Sequence, residues 1–242
     1  MSPHPLHNIL FLDIETVSQH RTFEEVPDEW KALWRHKAEL LLKDKQPVSP
    51  EDVEKIYERS AIYAEFGKII CISCGIVSGP PSDRKLSLKS FSGDDEKEVL
   101  TGFADLLRKW APDHSKYLCA HNGREFDFPY LCRRMVIHGM NIPAVLNMSG
   151  KKPWEVQHID TMELWKFGEY RSFVGLNLLA HTLGIPTPKD DIDGSQVGNV
   201  YWVQGDLPRI VTYCQKDVIT VAQVYLRMHG ESPIRDENIE LK

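Results

Sequence analysis

Ile9-Leu10-Phe11-Leu12-Asp13-Ile14-Glu15-Thr16 is the stretch on which the reading of this chain turns. Its first four residues form an apolar run that suits a strand buried on both faces. Side chains alternate along a strand, so Asp13 and Glu15 project from one side, roughly 6.5–7 Å apart along the backbone. Two carboxylates so placed at the end of a hydrophobic strand repel each other and resist desolvation. A cation between them removes both penalties, and an oxygen-only pair suits a hard ion such as Mg²⁺ or Mn²⁺. The other reading is that the strand ends here and both acids are solvated. The rest of the chain has to separate the two.

The chain has 242 residues, enough to bury a sizeable core, and its 42% hydrophobic and 26% charged content is that of a globular protein. The formal net charge of −6 argues against coating nucleic acid by charge neutralisation. It leaves room for an enzyme that grips a few phosphates through bound metal. No apolar run approaches a membrane span, and the opening MSPHPLHN lacks the charged and apolar regions of a signal peptide, so a cytoplasmic protein without a membrane partner is expected. Five cysteines, mostly within apolar runs, fit reduced thiols. Cys71 and Cys74 form a C-x-x-C, but within a strand residues three apart face opposite sides, so both are expected in the core.

Outward from the acid pair, Trp30, Leu33, Trp34, Ala38, Leu41 and Leu42 recur at helical spacing. Ser49-Pro50-Glu51-Asp52 then supplies an N-cap, a first-turn proline and acids for a second helix through Val53, Ile56, Tyr57 and Ala61. These helices read as an insert over about 19–66. Strands are expected at Lys68–Val77, Lys85–Phe91, Tyr117–Ala120 and Val156–Ile159. Helices are expected through Val99–Trp110, Phe126–His138, Leu176–Leu183 and Leu207–Met228. Lys189 to Gly205 reads as a turn-rich acidic loop, and about 230–242 as a polar tail. Strands alternating with crossover helices predict an α/β protein with a mixed sheet, as a single domain over 1–242.

Three further acids sit at structural punctuation. Asp127 follows a His-Asn-Gly turn at the start of a helix, and Asp160 closes a strand. Asp217 lies four residues after Tyr213, which places phenol and carboxylate on one helix face. Each has a plainer role: Asp127 as a helix N-terminal acid, Asp160 as a cap, Asp217 on the surface, Tyr213 as a half-buried aromatic.

Taken in order, Phe11-Leu12-Asp13-Ile14-Glu15-Thr16, His121-Asn122-Gly123-Arg124-Glu125-Phe126-Asp127 and Tyr213-Cys214-Gln215-Lys216-Asp217-Val218 resemble the three motifs of the DEDD 3′–5′ exonucleases. These belong to the DnaQ-like branch of the ribonuclease H-like fold, and the Tyr-x-x-x-Asp spacing resembles its tyrosine subclass. The N-x-x-x-F-D form, followed by His-Ile-Asp-Thr at 158–161, is most similar to the proofreading exonuclease domain of family B DNA polymerases. The resemblance spans about 8–228 apart from the insert.

It implies a ribonuclease H-like five-stranded mixed sheet flanked by helices, with the helical insert after the first strand. It implies that Asp13, Glu15, Asp127 and Asp217 hold two divalent cations, Mg²⁺ or Mn²⁺, and that Tyr213 orients the attacking water. Thr16, Asn122 and Phe126 would contact the terminal nucleotide, and Asp160 would act structurally. The implied activity is metal-dependent 3′–5′ hydrolysis at the end of a single strand, with DNA ahead of RNA. A 3′–5′ exoribonuclease and a non-catalytic nucleic-acid-binding module on the same fold are the alternatives. A haloacid dehalogenase-type phosphatase would want D-x-D, where this chain has Glu15. No polymerase domain follows in the sequence, so the expected partners besides nucleic acid are a polymerase or repair protein, or a second copy bound through the insert.

Overall fold

In the computed structural model, which describes residues 4–44, 47–112, 115–186 and 191–242, the acid-bearing stretch is an interior strand of a six-stranded sheet. The strands are β1 (Ile9–Ser18), β2 (Gly67–Ser78), β3 (Lys85–Ser92), β4 (Tyr117–Ala120), β5 (Ile159–Asp160) and β6 (Ile239–Leu241), in the order β5-β4-β1-β2-β3-β6. β1 runs antiparallel to β2 and parallel to β4, so the sheet is mixed as expected. The helices are α1 (Asp28–Leu41), α2 (Pro50–Lys55), α3 (Glu96–Trp110), α4 (Asp127–Ile137), α5 (Thr161–Lys166), α6 (Leu176–Thr182), α7 (Val197–Asn199) and α8 (Leu207–Met228).

Alternation along β1 decides what each face meets. Leu10, Leu12 and Ile14 pack with Leu100, Phe103 and Leu107 of α3 and Phe128 and Leu131 of α4. Ile9 and Phe11 pack on the other face against Val218, Val221 and Tyr225 of α8. Asp13 and Glu15 continue that second register, so the strand itself aims both carboxylates at α8.

Four of the expected strands are present, the one expected at Val156–Ile159 shrinks to the two residues Ile159–Asp160, and the tail adds a sixth. Residues 239–241 belong to a stretch whose composition suggests only a polar tail, yet they pair parallel with β3, Leu86 opposite Ile239 and Leu88 opposite Leu241. A three-residue strand carries no periodicity of its own; the open edge of β3 supplies the template. Gln223 of α8 anchors the approach, accepting from Ile234 N and donating to Ile234 O, both at 2.8 Å.

The insert builds a small core of its own around Trp34 and Ala38, with Val26, Val53 and Tyr57. Trp34 Nε1 donates to Val53 O at 3.2 Å, and its ring meets Phe66 and Tyr57 at 5.2 and 5.6 Å. Ser49 caps α2 as expected, in a capping box with Asp52, but α2 ends at Lys55 and a 3₁₀ helix over Tyr57–Ile62 replaces the rest of the expected helix. Of the expected α1 stripe, Trp30 and Leu33 face outward instead. One short partner segment can cover only the Trp34–Ala38 side.

The stretch from 191 to 205 is not the plain loop its composition suggests; Lys189 and Asp190 lie outside the described residues. α7 passes into a π-helical turn over Val200–Gln204, where Ile192, Val197 and Val200 bury against Val17, Ile70 and Ile210. Glycines and acids between those apolar residues hide the spacing.

A buried ion pair ties α3, α4 and the insert together. Glu96 accepts from Ile69 N at 2.7 Å and from Arg134 Nε at 2.8 Å, with a second bond from Arg134 Nη2. Arg134 Nη1 donates to Ala64 O at 2.8 Å. Burial disfavours the charge on Glu96, but Arg134, Ile69 N–H and His138 outweigh it and hold the carboxyl below its ordinary range. Arg134→Ala is therefore expected to cost about 3–5 kcal/mol in chemical denaturation, because it strands a buried carboxylate. A loss under about 1 kcal/mol counts against that account. Among the described residues, no helix is long and apolar enough to cross a membrane.

Candidate active site

Three segments remote in sequence converge on the middle of β1, which does not end at the acid pair as expected but runs on to Ser18. Register slips between Glu15 and Thr16 against β2, a bulge of the kind that re-aims side chains at strand edges. α8 starts at Asp206, whose side chain accepts from Arg209 N, and carries Tyr213 and Asp217 one turn apart toward β1. Cys214 lies between them and fastens helix to strand, Sγ donating to Asp13 O at 3.4 Å.

Asp127 arrives from the opposite layer. The turn before α4 is tight: Asn122 takes the left-handed conformation at φ 62°, which asparagine tolerates. At Gly123 any Cβ would stand 2.4 Å from Ala120 Cβ, so the close approach requires glycine. Asp127, at the first position of α4, reaches over the strand and accepts from Ile14 N at 3.2 Å.

Asp160 holds this turn rather than joining the acids. Its carboxylate accepts from Asn122 N at 2.9 Å and Arg124 N at 3.0 Å, and it caps α5 through Met162 N and Glu163 N. His121 braces the far side, Nε2 donating to Val174 O at 2.8 Å and Nδ1 facing Thr161 Oγ1 at 2.9 Å. Burial lowers the basicity of that imidazole and keeps it neutral.

The acids raise one another's pKa values. Burial first, then the charges of Glu15, Asp217 and Asp127, hold the Asp13 carboxyl well above its usual range. Burial and the charges of Asp217 and Asp127 do the same for Glu15. Asp127 is pushed up to about 7, mainly by burial, despite the Ile14 N–H bond. Burial, then the charges of Asp217, Glu15 and Asp13, push the Tyr213 phenol far above its ordinary value; its hydroxyl donates to Asp217. Cys214 is held protonated by burial and its contact with Cys71.

Asp13, Glu15 and Cys214 each present a possible ligand atom, all within 4.8 Å of one another. Asp13 Oδ2 is shielded from solvent and has no hydrogen-bond partner. An orphaned carboxylate oxygen among mutually repelling acids is a donor set that fits a hard cation. With the thiol protonated, the ligands on offer are oxygens.

A cavity of about 740 Å³ opens from Glu15 and Thr16 toward the insert. Phe126 lines it, its ring 5.3 Å from that of Tyr130. Asn122 stays in the turn, outside this lining. Sequence reasoning did not find Cys214 at the acids, where its place three residues before Asp217 was the available signal, nor the cavity walls supplied by Arg21, Arg59 and Trp202.

A family model described as a predicted 3′–5′ exonuclease related to the exonuclease domain of PolB matches residues 61–237. The chain belongs to this PolB-related exonuclease family. The match takes in Asp127, Tyr213 and Asp217 and begins after β1, so Asp13 and Glu15 lie ahead of it. A DNA polymerase of Pyrococcus glycovorans is 24% identical over 182 residues, 69% of this chain and 23% of the polymerase. Among solved structures, the family B DNA polymerase of Pyrobaculum calidifontis superposes with a TM-score of 0.53 at 16% identity, over 95% of this chain and 26% of that one. The RNase domain of yeast Pop2 gives a TM-score of 0.38 at 14% identity, over 86% and 76%. This family member thus spans about a quarter of the length of the polymerases it resembles, and shares with the second of them the ribonuclease H-like fold.

Proposed function

We propose that this chain is a metal-dependent 3′–5′ exonuclease acting on single-stranded ends, DNA in preference to RNA. The observation that carries the reading is the Asp13–Glu15 pair with its partnerless Asp13 Oδ2, both carboxyls feeling the charges of Asp217 and Asp127. Those four carboxylates would hold two divalent cations, Mg²⁺ or Mn²⁺, which supply a water made acidic enough to attack and neutralise charge on the phosphate.

The chain's own groups do the positioning. Tyr213 would position the attacking water as donor or acceptor, because a phenol of ordinary pKa about 10 is a poor general base near neutral pH. Thr16 and Phe126, which both line the cavity, would contact the sugar and base of a terminal nucleotide. An unpaired end reaches such a pocket at least cost, because no base pair has to be broken. The preference for DNA follows the kinship with polymerase exonuclease domains. Five free cysteines suit a reducing cytoplasm. Partners beyond the strand itself would be a polymerase or repair protein, or a second copy docked through the insert.

The test is digestion of 3′- and 5′-labelled single- and double-stranded DNA and RNA, with Mn²⁺ or with EDTA. Stepwise loss from 3′ ends of single-stranded DNA that EDTA stops is the expected result; cleavage surviving EDTA, or none of any strand, rejects the reading. Tyr213→Phe in this assay is expected to lower kcat about tenfold or more with KM nearly unchanged. An unaltered kcat removes Tyr213 from the mechanism.

A further inference from the structure

The cavity beside Glu15 has two positive groups on its insert side. Arg21 and Arg59 both line it, both side chains are exposed, and neither guanidinium is paired with a carboxylate among the described residues. Glu58 and Glu15 are the other charged groups of the lining. Arg84, Arg108, Arg134, Arg209 and Arg235 pair with carboxylates, whereas Arg21 and Arg59 share one cavity lining and, among the described residues, pair with none. Two free guanidinium forks at the mouth of an acid-lined pocket are complementary to an anion, and their planar geometry matches phosphate oxygens in pairs.

The rest of the lining suits the rest of a nucleotide. Trp202 lines the cavity with its Nε1 shielded and without a hydrogen-bond partner. Phe126 adds an aromatic side chain, and Ser195 and Asn199 add small polar groups. The volume, about 740 Å³, falls within the range of roughly 300–1,000 Å³ found for sites that bury small organic ligands.

We infer that Arg21 and Arg59 form a phosphate clamp by which the insert holds the last nucleotides of a single strand, the bases lying against Phe126 and Trp202. This rests on the exonuclease reading of the neighbouring acids. It also explains what the insert contributes. In a chain of net charge −6, its two guanidiniums offset Glu15 and Glu58 of the same lining and give a polyanion a local foothold beside the acids.

The test uses a 5′-fluorescein-labelled DNA strand of about 20 nucleotides, longer than the span of one single-strand binding groove, and full-length variants Arg21→Ala, Arg59→Ala, the double, and Arg21→Lys with Arg59→Lys. Arg35→Ala removes a charge from the same insert but outside the cavity lining. With Mn²⁺, each alanine variant is expected to raise KM about tenfold with kcat within about twofold. The dependence of log KM on log salt falls by about 0.7 for each phosphate no longer gripped. The lysine pair recovers part of the loss, and Arg35→Ala leaves both quantities unchanged. An unchanged KM and salt slope in the double variant, or an equal loss in Arg35→Ala, overturns the clamp.

Fluorescence anisotropy of the same strand in EDTA reads binding without cleavage. Weaker binding by the double variant supports the clamp even if the wild type cuts nothing, and equal binding overturns it. Failure of the wild type to cut any strand sinks the nuclease reading alone.

Discussion

Asp13→Asn is expected to lower strand cleavage more than about 100-fold while raising the melting temperature of the metal-free protein. The two effects share one cause. Asp13 stands on an interior strand whose other residues are packed on both faces, so its backbone is fixed by Leu12 and Ile14 and not by its own side chain. Its carboxyl is held well above the ordinary range by burial and by Glu15, Asp217 and Asp127, which means the ionised form is under strain when no cation is bound. Asparagine has the same shape, carries no charge, and places amide hydrogens near the Glu15 carboxylate. Relief of repulsion worth about 1 kcal/mol would raise Tm by roughly 2–4 °C in a chain of this size. Loss of a ligand oxygen removes cation affinity at the same time. The paired readout is turnover of a labelled oligonucleotide with Mn²⁺ and a thermal melt in EDTA. Wild-type turnover defeats the assignment of Asp13 as a ligand; a lower Tm in EDTA defeats the view that the apo site is electrostatically strained.

Much of this arrangement is legible in the sequence, and for identifiable reasons. The β1 run, the Tyr213–Asp217 spacing and the turn before Asp127 are local patterns whose geometry follows from strand and helix periods. Asp160, expected to act structurally, caps α5 while holding Asn122 N and Arg124 N. The features that escape such reading depend on partners that no local pattern names. β6 exists because β3 leaves an open edge, and the turns over 197–204 exist because Val17 and Ile70 offer an apolar wall. Trp30 and Leu33 fit the helical period of α1 as well as Trp34 does, yet only Trp34 found cover. Periodicity says which residues share a face; it does not say whether anything packs on it. The same limit applies at the site, where Arg21 and Arg59 carry no motif and are assembled into one wall only by the path of the insert.

Stability of the metal-free protein is expected to fall as pH rises from about 6.5 to 8, and a divalent cation is expected to flatten or reverse that fall. The sign follows from which state holds more protons. Unfolded Asp and Glu side chains ionise near pH 4, whereas folded Asp127 keeps its proton up to about 7 and Asp13 and Glu15 are also held well above their ordinary values. Between the two sets of values the folded state binds the extra protons, so raising pH favours unfolding by about 1.4 kcal/mol per pH unit for each carboxyl still protonated. Two histidines act in the opposite sense at lower pH: burial lowers His158 to about 4 and lowers His121 as well, so protonation of the unfolded chain below about 6.5 makes stability rise with pH there. Glu96, held below its usual value, loses its contribution only on further acidification. The uncompensated window therefore opens above about pH 6.5, where the acid cluster dominates. A cation that binds the ionised carboxylates of the folded state and ignores the unfolded chain adds about 2.7 kcal/mol at a hundred times its Kd, and more ligand oxygens are deprotonated as pH rises. Guanidinium midpoints at about pH 6.5, 7.25 and 8, in EDTA and in Mn²⁺, measure both effects. Stability in EDTA that is flat or rising across that window, or identical with and without Mn²⁺ at its alkaline end, would mean that Asp13, Glu15 and Asp127 do not titrate as one strained, cation-seeking group.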